Sequence, residues 1–229
     1  EIIAKETGKK FVVCIDEFQN IDYYEESLAF QRKLRSHWQR HSSVCYCLYG
    51  SKRHMLLNIF NNYEMPFYKF GDILFIQKIQ EEEWIKFITS QFEATKKSIS
   101  EELCCKIIQL AQCHPYYVQQ LSQQVWLRTS GKCNEKIVDE ALMSVIGQLS
   151  LLFTNILDTL TPKQINFLLA VANKETNFSS KETLSKYQLG TSANIKNLKK
   201  ATLEKDLIDI TPGERIELQD PMFEYWLKS

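Results

Sequence analysis

Phe11-Val12-Val13-Cys14-Ile15-Asp16-Glu17 decides how this chain is read. The unbroken apolar run from Phe11 to Ile15 predicts a strand buried on both faces of a parallel sheet. The spacing then changes. Phe30, Leu34 and Trp38 recur at i, i+4 and i+8 within Glu25 to Arg40, which is one face of a helix. Val44-Cys45-Tyr46-Cys47-Leu48-Tyr49 reads as a second strand ending at Gly50-Ser51, and Lys52 to Asn61 as a second helix. Ile73-Leu74-Phe75-Ile76 reads as a third strand. Strand, helix, strand, helix, strand is the order of an α/β domain on a parallel sheet. Three strands make a small sheet, so part of the domain is expected to lie outside this sequence.

The two acids that close the first strand suggest chemistry. Side chains at the C-terminal end of a parallel strand face the ligand crevice of an α/β sheet. Asp16 there can support Mg²⁺ through its water shell. Glu17 can orient and polarise an attacking water. An apolar strand followed by Asp-Glu is the Walker B pattern; the plainer reading is a solvated acidic pair at a strand end. Ser51 can donate a hydrogen bond to water or phosphate, or simply serve as a turn serine ahead of the next helix. Lys52 and Arg53 read as solvated residues of that helix's first turn.

Two further parts follow. From 79 to 149 the pattern is all-helical. Trp84, Ile88 and Phe92 share one face, Leu103, Ile107 and Leu110 another, and Val118, Leu121 and Val125 a third. Ser100 and Asn134 are placed to cap, and Pro115 stands where a helix begins. From 150 to 229, Thr161-Pro162-Lys163-Gln164 spells a capping box with Pro at the first helical position, and Ser179 with Glu182 a second box. A third helix carries Ile195, Leu198 and Thr202. Strands over 207–210 and 215–219 flank a turn at Thr211-Pro212-Gly213-Glu214, and Asp220-Pro221 opens a last helix. Three helices and a hairpin in this order make a winged helix-turn-helix.

Composition narrows the function classes. Of 229 residues 44% are hydrophobic, and Lys+Arg and Asp+Glu are 28 each, which excludes wholesale disorder and nucleic-acid coating by bulk charge. No unbroken apolar run reaches the roughly 20 residues of a membrane span. Seven cysteines without a C-x-x-C pair predict free thiols in a reducing, cytoplasmic setting rather than a zinc site.

Four segments in order, FVVCIDEFQNI from Phe11, LYGSKRHM from Leu48, HPYYVQQL from His114 and DPMFEYWL from Asp220, resemble the archaeal-type ATPases, a prokaryotic branch of the P-loop AAA+/STAND group. The resemblance spans nearly the whole chain. It implies a partial ATPase core over 1–78, an α-helical lid over 79–149 and a winged helix over 150–229. It implies Asp16 as the Walker B aspartate for Mg²⁺, Glu17 as the catalytic glutamate and Ser51 as the sensor of the γ-phosphate. It places His114-Pro115 near adenine, with His where the family has Gly, which puts backbone freedom there in question. Phe70 stands where the family often carries an arginine, beside Lys69, so an arginine-finger role does not carry over. It also implies ATP and Mg²⁺ as cofactors and a switch reporting to a protein partner or a second copy.

A phosphate-cradling G-x-x-x-x-G-K-S/T is absent from the sequence. Gly8-Lys9 has Ile3 at the first glycine position, and Gly131-Lys132 has Trp126 there and Cys133 after. The expectation is a fragment, beginning at Glu1 downstream of that loop and unable to hydrolyse ATP alone. The rival expectation is a non-catalytic DNA-binding or protein-interaction module on a degenerate ATPase scaffold. For it, Ser192, Asn194, Lys196, Asn197, Lys199 and Lys200 of the would-be recognition helix are the DNA-contact candidates. From Ser150 on, ten basic and ten acidic residues cancel, which lacks the basic footprint of a dedicated DNA reader.

Overall fold

The computed structural model describes residues 1–211 and 215–229, in two compact units, Glu1–Ile76 and Gln77–Ser229. The first unit opens with α1 (Ile2–Thr7), stopped by Gly8 in the left-handed region at φ 64°. β1 (Phe11–Ile15) then pairs in parallel with β2 (Val44–Leu48), in register from Phe11 opposite Val44 to Ile15 opposite Leu48. A 3-10 turn (Phe18–Tyr23) and α2 (Ser27–Trp38) make the crossover between the strands, and α3 (Arg53–Asn61) follows β2. Phe18, Ile21, Ile59 and Phe67 form a small core, with Leu34, Trp38 and Leu48 against it. The rings of Phe18 and Phe67 meet edge to face at 5.4 Å between centroids, the geometry aromatic quadrupoles favour.

Two expectations for this unit are corrected. β1 is not buried on both faces, for Val12 is 66% exposed and Phe11 and Val13 are exposed as well. Ile73–Ile76 is not a strand: it joins no ladder, and Leu74 and Ile76 are exposed. An apolar run becomes a buried strand only where neighbouring strands and covering layers exist, and this sheet has two strands. All seven cysteines are free thiols; Cys14, Cys45 and Cys47 in this unit are exposed, and Cys104 and Cys133 in the second are buried.

In the second unit the helices form where local grammar puts them. α4 (Glu81–Glu93) buries Trp84, Ile88 and Phe92. α5 (Glu101–Leu110) is capped by Ser100, whose side chain accepts from the Leu103 N–H, and α6 (Pro115–Arg128) has Pro at its first position. α7 (Glu135–Asp158) is capped by Asn134. α8 (Pro162–Ala172) carries the complete Thr161/Gln164 capping box, the Thr161 N–H donating to Gln164 at 2.8 Å. α9 (Lys181–Lys186) is capped by Ser180, not Ser179, because the helix starts one residue later and the Thr183 N–H is the donor within reach at 3.1 Å. α10 (Ser192–Glu204), the antiparallel pair β3 (Ile208–Thr211) and β4 (Arg215–Leu218), and α11 (Pro221–Lys228) complete the chain. Of the expected turn at 211–214, residues 212–214 lie outside the described residues.

The expected boundary at 149/150 falls inside α7, one continuous helix. It packs on α6 and, through Phe153, whose ring lies 5.1 Å from Phe223, on α11. One hydrophobic core therefore runs from Trp84 to Phe223. α7 is also long and apolar enough, by length and composition alone, to cross a membrane, a property no unbroken apolar run had signalled. Val138, Ala141, Val145, Ile146 and Phe153 give it a buried stripe.

α11 is tied to the rest by charge. Glu224 is buried and accepts from Lys174 at 2.7 Å, Lys228 at 2.8 Å and Gln112 at 3.1 Å. Burial opposes its ionisation, yet these three donors outweigh burial and hold the carboxyl below the ordinary glutamate value of 4.5. A depressed carboxylate stabilises the fold above its unfolded pKa, and that stability is lost as pH falls through the folded value. Glu224→Gln should therefore flatten the loss of stability below about pH 4.5, read by urea denaturation at stepped pH. An unchanged acid limb would remove Glu224 from the acid response.

Candidate functional site

β1 delivers Asp16 and Glu17 at its C-terminal end, and β2 delivers Gly50-Ser51 beside them. The hydrogen bonds Tyr49 N–H to Ile15 carbonyl (3.1 Å) and Phe18 N–H to Tyr49 carbonyl (3.0 Å) carry the pairing past the strand ends. The chain turns sharply here, with Glu17 in the left-handed region at φ 48°. Asp16 Oδ1 accepts the Glu17 N–H at 2.8 Å, which fixes that carboxylate against the turn. Its charge also raises the Tyr49 phenol pKa.

Glu17 is held by two donors on one oxygen. Gln19 Nε2 and Ser51 Oγ both donate to Glu17 Oε2, the second at 3.1 Å. The Gln19 amide above all, with the Ser51 hydroxyl and N–H, holds the Glu17 carboxyl below the usual range against the opposing effect of desolvation. It is ionised at neutral pH, with Oε2 engaged. An ionised carboxylate anchored through one oxygen can orient a water with the other.

Gln19 was not legible in the sequence. Its side chain is fully buried, and its Oε1 has no partner. Gly50 makes this possible: a Cβ at 50 would stand 1.9 Å from Gln19 Oε1 and 3.3 Å from the Glu17 Cα. Gly50→Ala should cost about 1–3 kcal/mol, the range for overpacking, and release the clamp on Glu17. Chemical denaturation measures the first. A carboxyl-carbon NMR titration of Glu17 measures the second, its pKa returning toward the ordinary value. A wild-type denaturation midpoint with an unmoved Glu17 would contradict the clamp.

Ser51, beyond the end of β2, thus meets Glu17. Arg53 is exposed at the start of α3; Lys52 Nζ donates to Tyr23 OH at 3.2 Å, and the Arg53 guanidinium lies 4.8 Å from the Phe75 ring centroid. Among the described residues no group of three or more His, Cys, Asp or Glu could hold a metal ion. Asp16 alone supplies one carboxylate, which fits a Mg²⁺ ion that keeps its waters and takes its other ligands from phosphate.

His114 and Pro115 belong to the second unit, at the start of α6. His114 has ordinary extended backbone, φ −74° and ψ 116°, which any residue adopts. The left-handed residues are the two before it, Gln112 at 49° and Cys113 at 56°. Tyr117 is buried and donates to Asp220 at 2.5 Å; burial, and then that carboxylate, push its phenol pKa far up.

On α10, Ser192, Lys196, Asn197 and Lys200 are exposed, while Asn194 and Lys199 are half-buried. Asn194 lies against Gly190, and the Lys199 ammonium sits 6.0 Å from the Phe178 ring centroid.

Residues 151–229 match a family model described as a probable winged helix domain. Among solved structures, a Walker-type ATPase of Pyrococcus abyssi aligns over 100% of this chain with a TM-score of 0.71 and 16% identity. The likeness is one of fold. This chain spans 65% of that protein's length. A RuvB variant of Thermotoga maritima aligns over 98% of the chain and 72% of its own, at 13% identity and a TM-score of 0.44, too low to carry an argument. No curated protein matches the sequence. The chain therefore combines an α/β part with a small parallel sheet, in the fold of a Walker-type ATPase, and a winged helix domain.

Proposed function

We propose that this chain carries the water- and magnesium-handling half of an ATP hydrolysis site and acts as part of a nucleotide-dependent switch. The observation that supports this best is the Glu17 carboxylate, anchored through Oε2 by Gln19 and Ser51 at the mouth of a parallel strand pair. In this reading Asp16 supports Mg²⁺ through water, and that ion would neutralise charge on the phosphates. Glu17 orients the attacking water through its other oxygen. Ser51 senses phosphate by exchanging its bond to Glu17 for one to a phosphate oxygen. His114 and Pro115 are proposed as adenine neighbours, residues 79–149 as the lid, and the winged helix as the element that passes the state on to a protein partner or a second copy. The phosphate cradle must come from residues outside this sequence, so the chain by itself is proposed inactive.

Ser51→Ala in a protein that includes the cradle tests the sensor role. Hydrolysis should fall at least about tenfold while ATP binding persists, read by steady-state phosphate release and calorimetry. Full turnover in that variant would leave Ser51 a turn serine.

The second reading, a non-catalytic DNA-binding or protein-interaction module, is favoured by the family match to the winged helix. Fluorescence anisotropy with duplex DNA separates the two. Binding by this chain that weakens steeply with salt supports the module; no binding favours the switch.

A further inference from the structure

The two faces of the β1–β2 pair differ in what covers them. Successive residues of a strand alternate between faces, and register partners on parallel strands share a face. Tyr46 stacks on Trp38 of α2 at 4.2 Å between ring centroids, and Ile15 and Leu48 pack on the small core, so that face belongs to the helices. Val12, Cys14, Cys45 and Cys47 fall on the other face, and all four are exposed.

Three thiols therefore share one open face, and their spacing singles out one pair. Cys14 stands opposite Cys47 in the ladder, and Val12 stands opposite Cys45. Neighbouring strands lie about 4.8 Å apart, inside the roughly 4.4–6.8 Å that separates the Cα atoms of a disulfide. Cys45 lies diagonally from Cys14, at about 8 Å, beyond the roughly 7 Å within which a bridge closes. Cys45 and Cys47 stand about 6.6 Å apart on one strand with their Cβ atoms pointing the same way, too far for the roughly 4.5 Å that a disulfide allows between Cβ atoms.

The same geometry makes a Cys14–Cys47 bond easy to reverse. Side chains on adjacent strands rise side by side, so their Cβ atoms are about as far apart as the strands, slightly more than a relaxed disulfide holds. Closing that gap strains the bridge, and strained or exposed disulfides are the readily reduced, regulatory ones. We propose that Cys14 and Cys47 form a reversible disulfide across β1 and β2, a redox-sensitive lock on the two strands that lead into Asp16, Glu17 and Ser51. The oxidant is hydrogen peroxide. One thiol sulfur attacks it, an S–O bond forms, the O–O bond breaks, and the displaced hydroxide leaves with the thiol proton as water. The second sulfur then attacks the sulfenic acid; the S–S bond forms, the S–O bond breaks, and the hydroxyl leaves with the second thiol proton as another water. The two thiols lose two electrons in all, and one peroxide becomes two waters. Two glutathione thiols reverse the step and leave as glutathione disulfide.

The test is non-reducing peptide mapping of the full chain after brief exposure to dilute hydrogen peroxide. Trypsin releases Cys14 within residues 11–32, and Cys45 with Cys47 within residues 41–52. The expected product is these two peptides joined with the loss of two hydrogens, in a yield independent of protein concentration. Glutathione should separate them again. Cys45→Ser should keep the link and Cys47→Ser should lose it. Both positions are exposed, so both variants should unfold in urea at the wild-type midpoint, which separates a lost bridge from a lost fold. Absence of the linked peptide, a link that survives Cys47→Ser, a yield that rises with protein concentration, or a bridge that glutathione does not open would each overturn the proposal.

Discussion

Glu17→Gln leaves ATP binding intact and slows hydrolysis by at least about 100-fold, the usual worth of a positioned acid–base group, in a protein that also carries the phosphate cradle. The geometry gives the reason. A glutamine at 17 keeps a carbonyl oxygen to accept from Gln19 and Ser51, so the local fold survives. The atom left to face water is then an amide N–H₂, which donates and cannot accept a proton. Calorimetry for binding and phosphate release for turnover read the two halves separately. Unchanged turnover would remove Glu17 from the mechanism.

Phe223→Ala produces the largest loss of stability. Phe223 is 1% exposed, with the Phe153 ring 5.1 Å away and the Trp226 ring 6.1 Å away. Deleting a buried phenyl ring costs about 3–5 kcal/mol. In a unit of this size that lowers the melting temperature by roughly 10 °C. Because α7 runs unbroken from the helical part into the winged helix, residues 77–229 should melt in one transition, with Phe223→Ala shifting all of it. Two separate transitions by calorimetry, only one of them moved, would contradict a shared core.

The contrast between the units shows what a sequence can carry. Ser100, Asn134, Thr161 and Asp220 were legible as caps because a cap acts within three residues of itself. Ser180 was missed by one position for the same reason: the Ser179-Ser180 pair offers two candidates, and only the actual helix start chooses between them. β1 and Ile73–Ile76 were misread because an apolar run looks alike whether or not it finds a neighbour, and the neighbour is a tertiary fact. A boundary was expected at 149/150, and the continuity of α7 across it was not legible, because the change of local pattern there lies within one helix. At the candidate site, Asp16, Glu17 and Ser51 could be read from their places at strand ends. Gln19 and Gly50 could not, since their meaning lies in a contact between residues 31 apart in the chain.

The most direct test is calorimetry of ATP with Mg²⁺, on this chain and on one extended upstream to include a phosphate-binding loop. The account predicts that the extended protein binds, that Asp16→Asn removes the Mg²⁺ dependence of that binding, and that this chain alone shows none. Absence of binding in both, or binding indifferent to Asp16, would contradict it.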